Sequence, residues 1–407
     1  MTTSHSDKHY KATEKVSESI KQYYRESAEA ASHGEPVILA TGNFPVELLY
    51  AMNVVPWFPE NYSALCSARQ VAGRYCRIAE KNGYSKTLCS YFKCGLGSIL
   101  ESGGPFGGTL RPKMIVTTRF NCIPHIKWWE ILARFYEVPL FVLDGPHVVA
   151  AKMEDYHYEY MVSQLEDLIE LIEKTTGKPY IQDRFTETLE LANEASRYWR
   201  WVLDSRKNIP SPITLSDLAT DMFVSVVLLG TQKAVEIYRQ LYEEVSEKVK
   251  MRQGATEEKI RLAWDNIVLW YNLGLFNYFE QHDAAVIYEP YISDTWGGVE
   301  LNINEPLKSL ASKCLNIWAN FSLELRAKRY LQVVKEFHID GVVFHSNRAC
   351  KPFSMGQIQL AKYLQENGIP SVSFEADMAD PAAYADGQVK LRLDAFLELL
   401  KMKKGLL

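Results

Sequence analysis

The chain has no apolar run near the ~18 residues that a membrane span requires. Its most apolar stretch, 223–229, is far too short. The opening residues, MTTSHSDKHYKATEK, contain no apolar core, so no secretory signal is visible. Walker A, a G-x-G-x-x-G after a strand, a G-x-S-x-G elbow and an H-E-x-x-H helix are all missing. Nothing here is built to bind ATP, so any nucleotide chemistry is expected on a partner. The glycine-rich stretch 103–108 precedes a strand rather than following one, and it reads first as a flexible loop. An excess of one charge is missing too: 45 basic and 50 acidic residues give −5, which argues against non-specific nucleic-acid binding. Cysteine is sparse and odd in number, at seven, without paired Cys-x-x-Cys motifs or a matching His pair. Those spacings match no zinc module, and the odd count points to a reducing cytoplasm, where cysteine is a ligand, a nucleophile or core.

What is present is enough for two or three domains in 407 residues, with 47% hydrophobic and 23% charged side chains. The first 34 residues are polar, with apolar positions at Val16, Ile20 and Tyr23 or Tyr24. That spacing predicts a thin amphipathic helix ending near Gly34, clasping a partner or its own body. A strand–turn–helix–strand pattern then recurs. Val37-Ile38-Leu39-Ala40 leads through Thr41-Gly42-Asn43 into a helix and on to Val54-Val55-Pro56. Met114-Ile115-Val116 leads through a turn at 117–122 into a helix over 126–136 and a strand at 138–144. Asp340-Gly341-Val342-Val343-Phe344-His345 leads through 346–352 into a helix over 355–365 and a strand at 369–375. A further strand is expected at 284–288. No strong β pattern is visible from about 154 to 280, where helical periodicity prevails.

The expected fold is therefore α/β. Two lobes with parallel sheets flanked by helices, Rossmann-like or flavodoxin-like, are joined by a helical middle region and preceded by an N-terminal helix. The divisions fall at 1–34, 35–153, 154–280 and 281–407. In such sheets ligands bind beyond the carboxyl ends of the strands. Cys122 and Cys350 both stand there, so facing lobes would bring the two thiols together across a cleft. Cys66, Cys76 and Cys314 read as packing. Dispersed cysteines converging on a cleft suit an iron–sulfur cluster better than a zinc finger.

At these residues the chain resembles the family of 2-hydroxyacyl-CoA dehydratases and ATP-dependent benzoyl-CoA reductases. The marks are Phe58-Pro59-Glu60-Asn61, Gly83-Tyr84-Ser85 with Cys89, and Asn121-Cys122 with Ile126-Lys127-Trp128. His345-Ser346-Asn347-Arg348-Ala349-Cys350-Lys351 and Asp377-Met378-Ala379-Asp380-Pro381 with Arg392 complete them. The resemblance implies a cytoplasmic iron–sulfur subunit of an (R)-2-hydroxyacyl-CoA dehydratase, paired with a homologous second subunit as a heterodimer. A separate ATP-hydrolysing iron–sulfur activator would supply electrons of low potential. It implies a [4Fe-4S] cluster on Cys89, Cys122 and Cys350 with one iron open to water or the acyl-CoA thioester. One-electron reduction of that thioester would give a ketyl radical that expels the 2-hydroxyl. Glu60 is a candidate for proton handling, or else a carboxylate capping a turn. His345 is a candidate hydrogen-bond donor to the cluster, or else a core histidine.

Two departures stand out. Gly42 occupies the place of a serine near the fourth cluster position, and Cys94 has no usual counterpart. Three other readings stay open: a subunit of a benzoyl-CoA reductase, towards which Gly42-Asn43 leans; an electron carrier with Cys94 as fourth ligand; and a structural zinc site.

Overall fold

A computed structural model describes residues 10–148 and 153–406. Residues 1–9, the start of the predicted arm, lie outside it. The strands are β1 (Val37–Ala40), β2 (Val55–Trp57), β3 (Met114–Thr118), β4 (Leu140–Leu143), β5 (Ile260–Asp265), β6 (Ala284–Tyr288), β7 (Gly341–Asn347) and β8 (Ser371–Ala376). They form two four-stranded sheets, ordered β2-β1-β3-β4 and β6-β5-β7-β8, and every pairing is parallel. Both orders reverse direction between their two central strands, so each sheet opens a crevice at the carboxyl ends there. The predicted α/β class and its two parallel lobes are what the chain adopts. No described helix is long and apolar enough to cross a membrane.

The strands of all three patterns form where read, and the first strand of each, β1, β3 and β7, is a largely apolar run buried almost throughout. β5 lies inside the stretch read as helical. Arg261 and Asp265 break its apolar run, and that hid it. Both side chains are buried, and both are satisfied. Arg261 donates to the carbonyls of Phe337, Asn208 and Arg206, and Asp265 accepts from Tyr330 Oη and Gln357. Hydrogen bonding of this completeness lets a central strand tolerate ionic side chains. The helix expected over 355–365 is Gln357–Glu366; a short extra helical turn, Lys351–Ser354, precedes it from the segment read as a turn, with Gly356 at φ +84° between the two.

The predicted N-terminal helix is Lys11–Ser32, followed by Gly34 at φ +89°. It clasps its own body. Tyr10 Oη donates to Pro212 O, Thr13 Oγ1 to Asp221, and Tyr23 Oη to Pro56 O.

The two lobes are tied by the closing Asp377-Met378-Ala379-Asp380 stretch. Asp377 accepts the N–H groups of Ala379 and Asp380 at 2.8 and 2.9 Å, fixing a tight turn. From the first lobe, Ser67 Oγ donates to Ala379 O at 3.0 Å and Arg77 pairs with Asp380 at 3.3 Å. Trp270, just after β5, donates its N–H to Met378 O and its indole N–H to Tyr91 of the first lobe.

A fully buried ion pair joins the helical middle to the second lobe: Arg206 meets Glu289 at 2.8 Å, with both side chains 0% exposed. Arg206 also donates to Ser293 Oγ and Leu203 O. Glu289→Gln leaves that guanidinium without its counter-charge, and we expect a loss of about 3 kcal/mol in urea denaturation. A paired Arg206→Met, Glu289→Leu change should recover most of it. A single variant within about 0.5 kcal/mol of the parent would show that the pair is solvated.

Candidate active site

All four central strands deliver their following loops to one cavity. Gly42 and Asn43 follow β1, Asn121 and Cys122 follow β3, Ile267 and Trp270 follow β5, and Ala349 and Cys350 follow β7. The crevices of the two sheets are thus one space of about 170 Å³. Cys89 lines it as well. The three thiols share a local cause for their position: each is the residue immediately before a helix. Cys89 precedes Ser90–Leu100, Cys122 precedes Ile123–Tyr136, and Cys350 precedes the short turn Lys351–Ser354. The first-turn N–H groups of Tyr91 and Phe92 lie near Cys89 and that of Phe353 near Cys350, and they partly offset the effect of burial on the two thiols without forming a capping bond. Such N–H groups favour a thiolate and other negative charge.

Burial pushes the Cys89 and Cys350 thiols well up, and neighbouring thiols add to it: Cys122 for Cys89, and Cys89 and Cys122 for Cys350. The chain alone therefore holds them protonated, and a bound metal would displace those protons. Among the described residues no three His, Cys, Asp or Glu side chains are placed to hold a single metal ion. Zinc ligands all lie ~2.1–2.3 Å from one centre. Three thiols lining one space are a donor set of the kind that iron–sulfur clusters take.

Beside the thiols stands a pair that sequence reading only half found. Glu60, in the first turn of Pro59–Ala68, lies 2.9 Å from His125 Nε2. Its other oxygen accepts Gly42 N–H at 2.6 Å and Thr41 Oγ1 at 2.8 Å. Burial raises the Glu60 pKa, but His125 and these two donors outweigh it and hold the carboxyl below its ordinary range. Burial likewise opposes charge on His125. Cys122 and Glu60 overcome that and keep the imidazole protonated well above its usual range. Asn121 Nδ2 lies 3.1 Å from His125 Nδ1, and Trp129 stacks on the ring. His125 sits three residues after Cys122 in the first helical turn, and that spacing returns it to the cavity. This was the signal available. Glu60 caps a turn through Gly42 N–H, from a largely buried position rather than at the surface.

The other expectations resolve as follows. Gly42 lines the cavity; a Cβ there would stand 3.4 Å from Trp296 and 3.6 Å from Glu60, ordinary contact that a serine side chain would make. Cys94 does not line the cavity. It lies within the core against Cys66, fully buried. Cys66, Cys76 and Cys314 are core as expected; Trp128 and Trp129 are fully buried too. Lys351 sits at the exposed rim, and Arg348 pairs with Glu375 at the surface. An outer groove of about 1080 Å³ shares Cys122, Pro124, Lys351 and Pro352 with the cavity and leads to it.

His345 is not among the side chains lining the cavity. It is buried in the second sheet, stacked on Phe374, with Nδ1 donating to Ile267 O at 2.8 Å. Alternation along β7 aims it into the sheet's own packing, which a strand-end reading could not specify. Burial lowers its pKa to about 4. The unfolded chain binds that proton near pH 6.5, so the stabilising effect is complete above pH 6.5 and is lost as pH falls through 4. Between those limits the stability of the parent should fall by about 3 kcal/mol more than that of His345→Leu. Parallel stability–pH curves from the two proteins would contradict this placement.

The chain is similar across nearly its whole length to known enzyme subunits. It is 29% identical to the (R)-phenyllactyl-CoA dehydratase alpha subunit of Clostridium sporogenes, covering 92% of each chain. It is 27% identical to the (R)-2-hydroxyisocaproyl-CoA dehydratase alpha subunit of Clostridioides difficile, covering 96% of each. It is 28% identical to a subunit of the benzoyl-CoA reductase of Thauera aromatica, covering 91% of this chain and 90% of that one. The model of the 2-hydroxyglutaryl-CoA dehydratase D-component family matches residues 41–400, the span that holds every strand but β1 and all four of the strand-following cavity loops, and the chain belongs to that family.

Proposed function

We propose that the chain is the iron–sulfur subunit of an (R)-2-hydroxyacyl-CoA dehydratase, working with a second subunit and an ATP-hydrolysing activator. The observation that carries the reading is the convergence of Cys89, Cys122 and Cys350 with the Glu60–His125 pair on one cavity. The relatives named as dehydratase alpha subunits support it.

Cys89, Cys122 and Cys350 would hold a [4Fe-4S] cluster, leaving one iron free of protein sulfur. When bound, that cluster supplies the single electron and a Lewis-acidic iron for the thioester carbonyl. The protein's own part is position and proton. The outer groove takes the CoA arm, with Lys351 at its rim facing the phosphates. The cavity places the acyl carbons beside Glu60. Its apolar walls exclude water, which would solvate the reacting charges. Dehydration removes a hydroxide and a neighbouring C–H proton together as water. The proton shared by Glu60 Oε1 and His125 Nε2 goes out with the hydroxide. The C–H proton then refills the pair, so the residues return unchanged. Gly42 N–H and Thr41 Oγ1 fix the Glu60 carboxylate for that exchange.

Glu60→Gln keeps the shape and removes the base. Turnover should fall by about 10² to 10⁴ while iron content and the anaerobic spectrum stay at parent level. Activity within tenfold of the parent would remove Glu60 from the chemistry. Cys89→Ala, Cys122→Ala and Cys350→Ala should each lose most of the iron and acid-labile sulfide, whereas Cys94→Ser should lose neither. Cluster loss in Cys94→Ser would favour the electron-carrier reading.

Ring reduction is the second reading, favoured by the similarity to a benzoyl-CoA reductase and by Gly42 in place of a serine. Anaerobic complex with activator and ATP, given an (R)-2-hydroxyacyl-CoA and benzoyl-CoA, separates the two. Turnover of the aromatic ester alone overturns dehydration.

A further inference from the structure

One wall of the cavity carries none of the thiols. The helix Lys11–Ser32 contributes Ile20 and Tyr24 to it, and the helix Leu215–Phe223 contributes Met222 and Phe223. The π-helical turn Val224–Leu228 that follows adds Val226. This wide turn is held in place from behind, where Tyr238 Oη donates to Asp221 O at 3.1 Å and lies 2.7 Å from Ser225 Oγ. An extra residue per turn pushes one side chain out of the regular helical face, a device common beside ligand sites. The wall is hydrocarbon and ring apart from the hydroxyls of Thr220 and Tyr24. The Tyr24 hydroxyl accepts from Asn61 Nδ2 at 3.1 Å.

Charge in the cavity is already committed. Among the described residues lining it, Lys351 is the one lysine or arginine, and it sits exposed at the rim with Nζ 3.5 Å from Arg348 O. Glu60 and His125 neutralise each other. A second carboxylate on an acyl chain would find no counter-charge against the apolar wall and would be stripped of water there.

We propose that this site selects uncharged acyl groups with a branched or aromatic end and rejects dicarboxylic ones, with Phe223 and Val226 as the specificity-determining side chains. The inference rests on the reading of this cavity as the substrate site. A hydrocarbon end loses water-exposed area against this wall, and a ring gains edge and face contacts with Tyr24 and Phe223.

The test uses the cluster-loaded complex with its partner subunit, without air and without activator. Binding of 3-phenylpropanoyl-CoA, 4-methylpentanoyl-CoA and glutaryl-CoA is followed by calorimetry; none carries a 2-hydroxyl, so none can be dehydrated. The first two should bind at least about 100-fold more tightly than glutaryl-CoA. Equal or tighter binding of glutaryl-CoA overturns the proposal, as does absence of binding by all three. Val226→Arg should narrow the gap at least about tenfold by strengthening glutaryl-CoA, and Phe223→Ala should weaken 3-phenylpropanoyl-CoA by about tenfold. An unchanged gap in both folded variants removes this wall from acyl recognition. If the preference holds but 2-hydroxy-3-phenylpropanoyl-CoA is not turned over once activator and ATP are added, dehydration fails and the acyl preference stands.

Discussion

The constraint on which the rest depends is that two parallel sheets point the carboxyl ends of their central strands into one space. A parallel strand must be followed by a crossover, so each central strand ends in a turn that starts a helix or a long loop. Four such turns supply the cavity. Three thiols enter it from residues that immediately precede helices. The Asp377–Asp380 turn and its contacts with Ser67 and Arg77 keep the lobes at the spacing that makes one cavity out of two crevices.

Within that space the division of labour follows burial and charge. The sulfurs occupy the ends of β3 and β7 and the start of the helix Ser90–Leu100. The Glu60–His125 pair is ionised although buried, because each partner cancels the other and Gly42 and Thr41 satisfy what remains. Most of the remaining lining is hydrocarbon and aromatic surface, much of it from elements outside both sheets, including the N-terminal helix and the π-turn. A reaction needing low water and a fixed proton has both supplied by the same enclosure.

Much of this was legible along the chain. Seven of the eight strands stood out as short apolar runs after charged or proline-marked turns. The thiols of Cys122 and Cys350 declared themselves by their place after such runs. β5 did not, because Arg261 and Asp265 disguise a central strand whose ionic groups are satisfied only by distant carbonyls and hydroxyls. His125 was passed over because its meaning is a 2.9 Å contact with Glu60, sixty-five positions away in sequence. His345 was read at a strand end, but β7 continues to Asn347 and Trp264 and Phe374 of the neighbouring strands enclose the ring.

The alternation of strand and helix, the parallel sheets and the cysteines that end two of the repeats are readable along the chain, because periodicity and turn chemistry are local. Which thiols share a space, the turn of Cys94 into the core while Cys89 faces the cavity, and the meeting of Glu60 with His125 emerge in the folded molecule alone. Those facts depend on how far the chain travels before it returns, and on which groups burial leaves without water when it does.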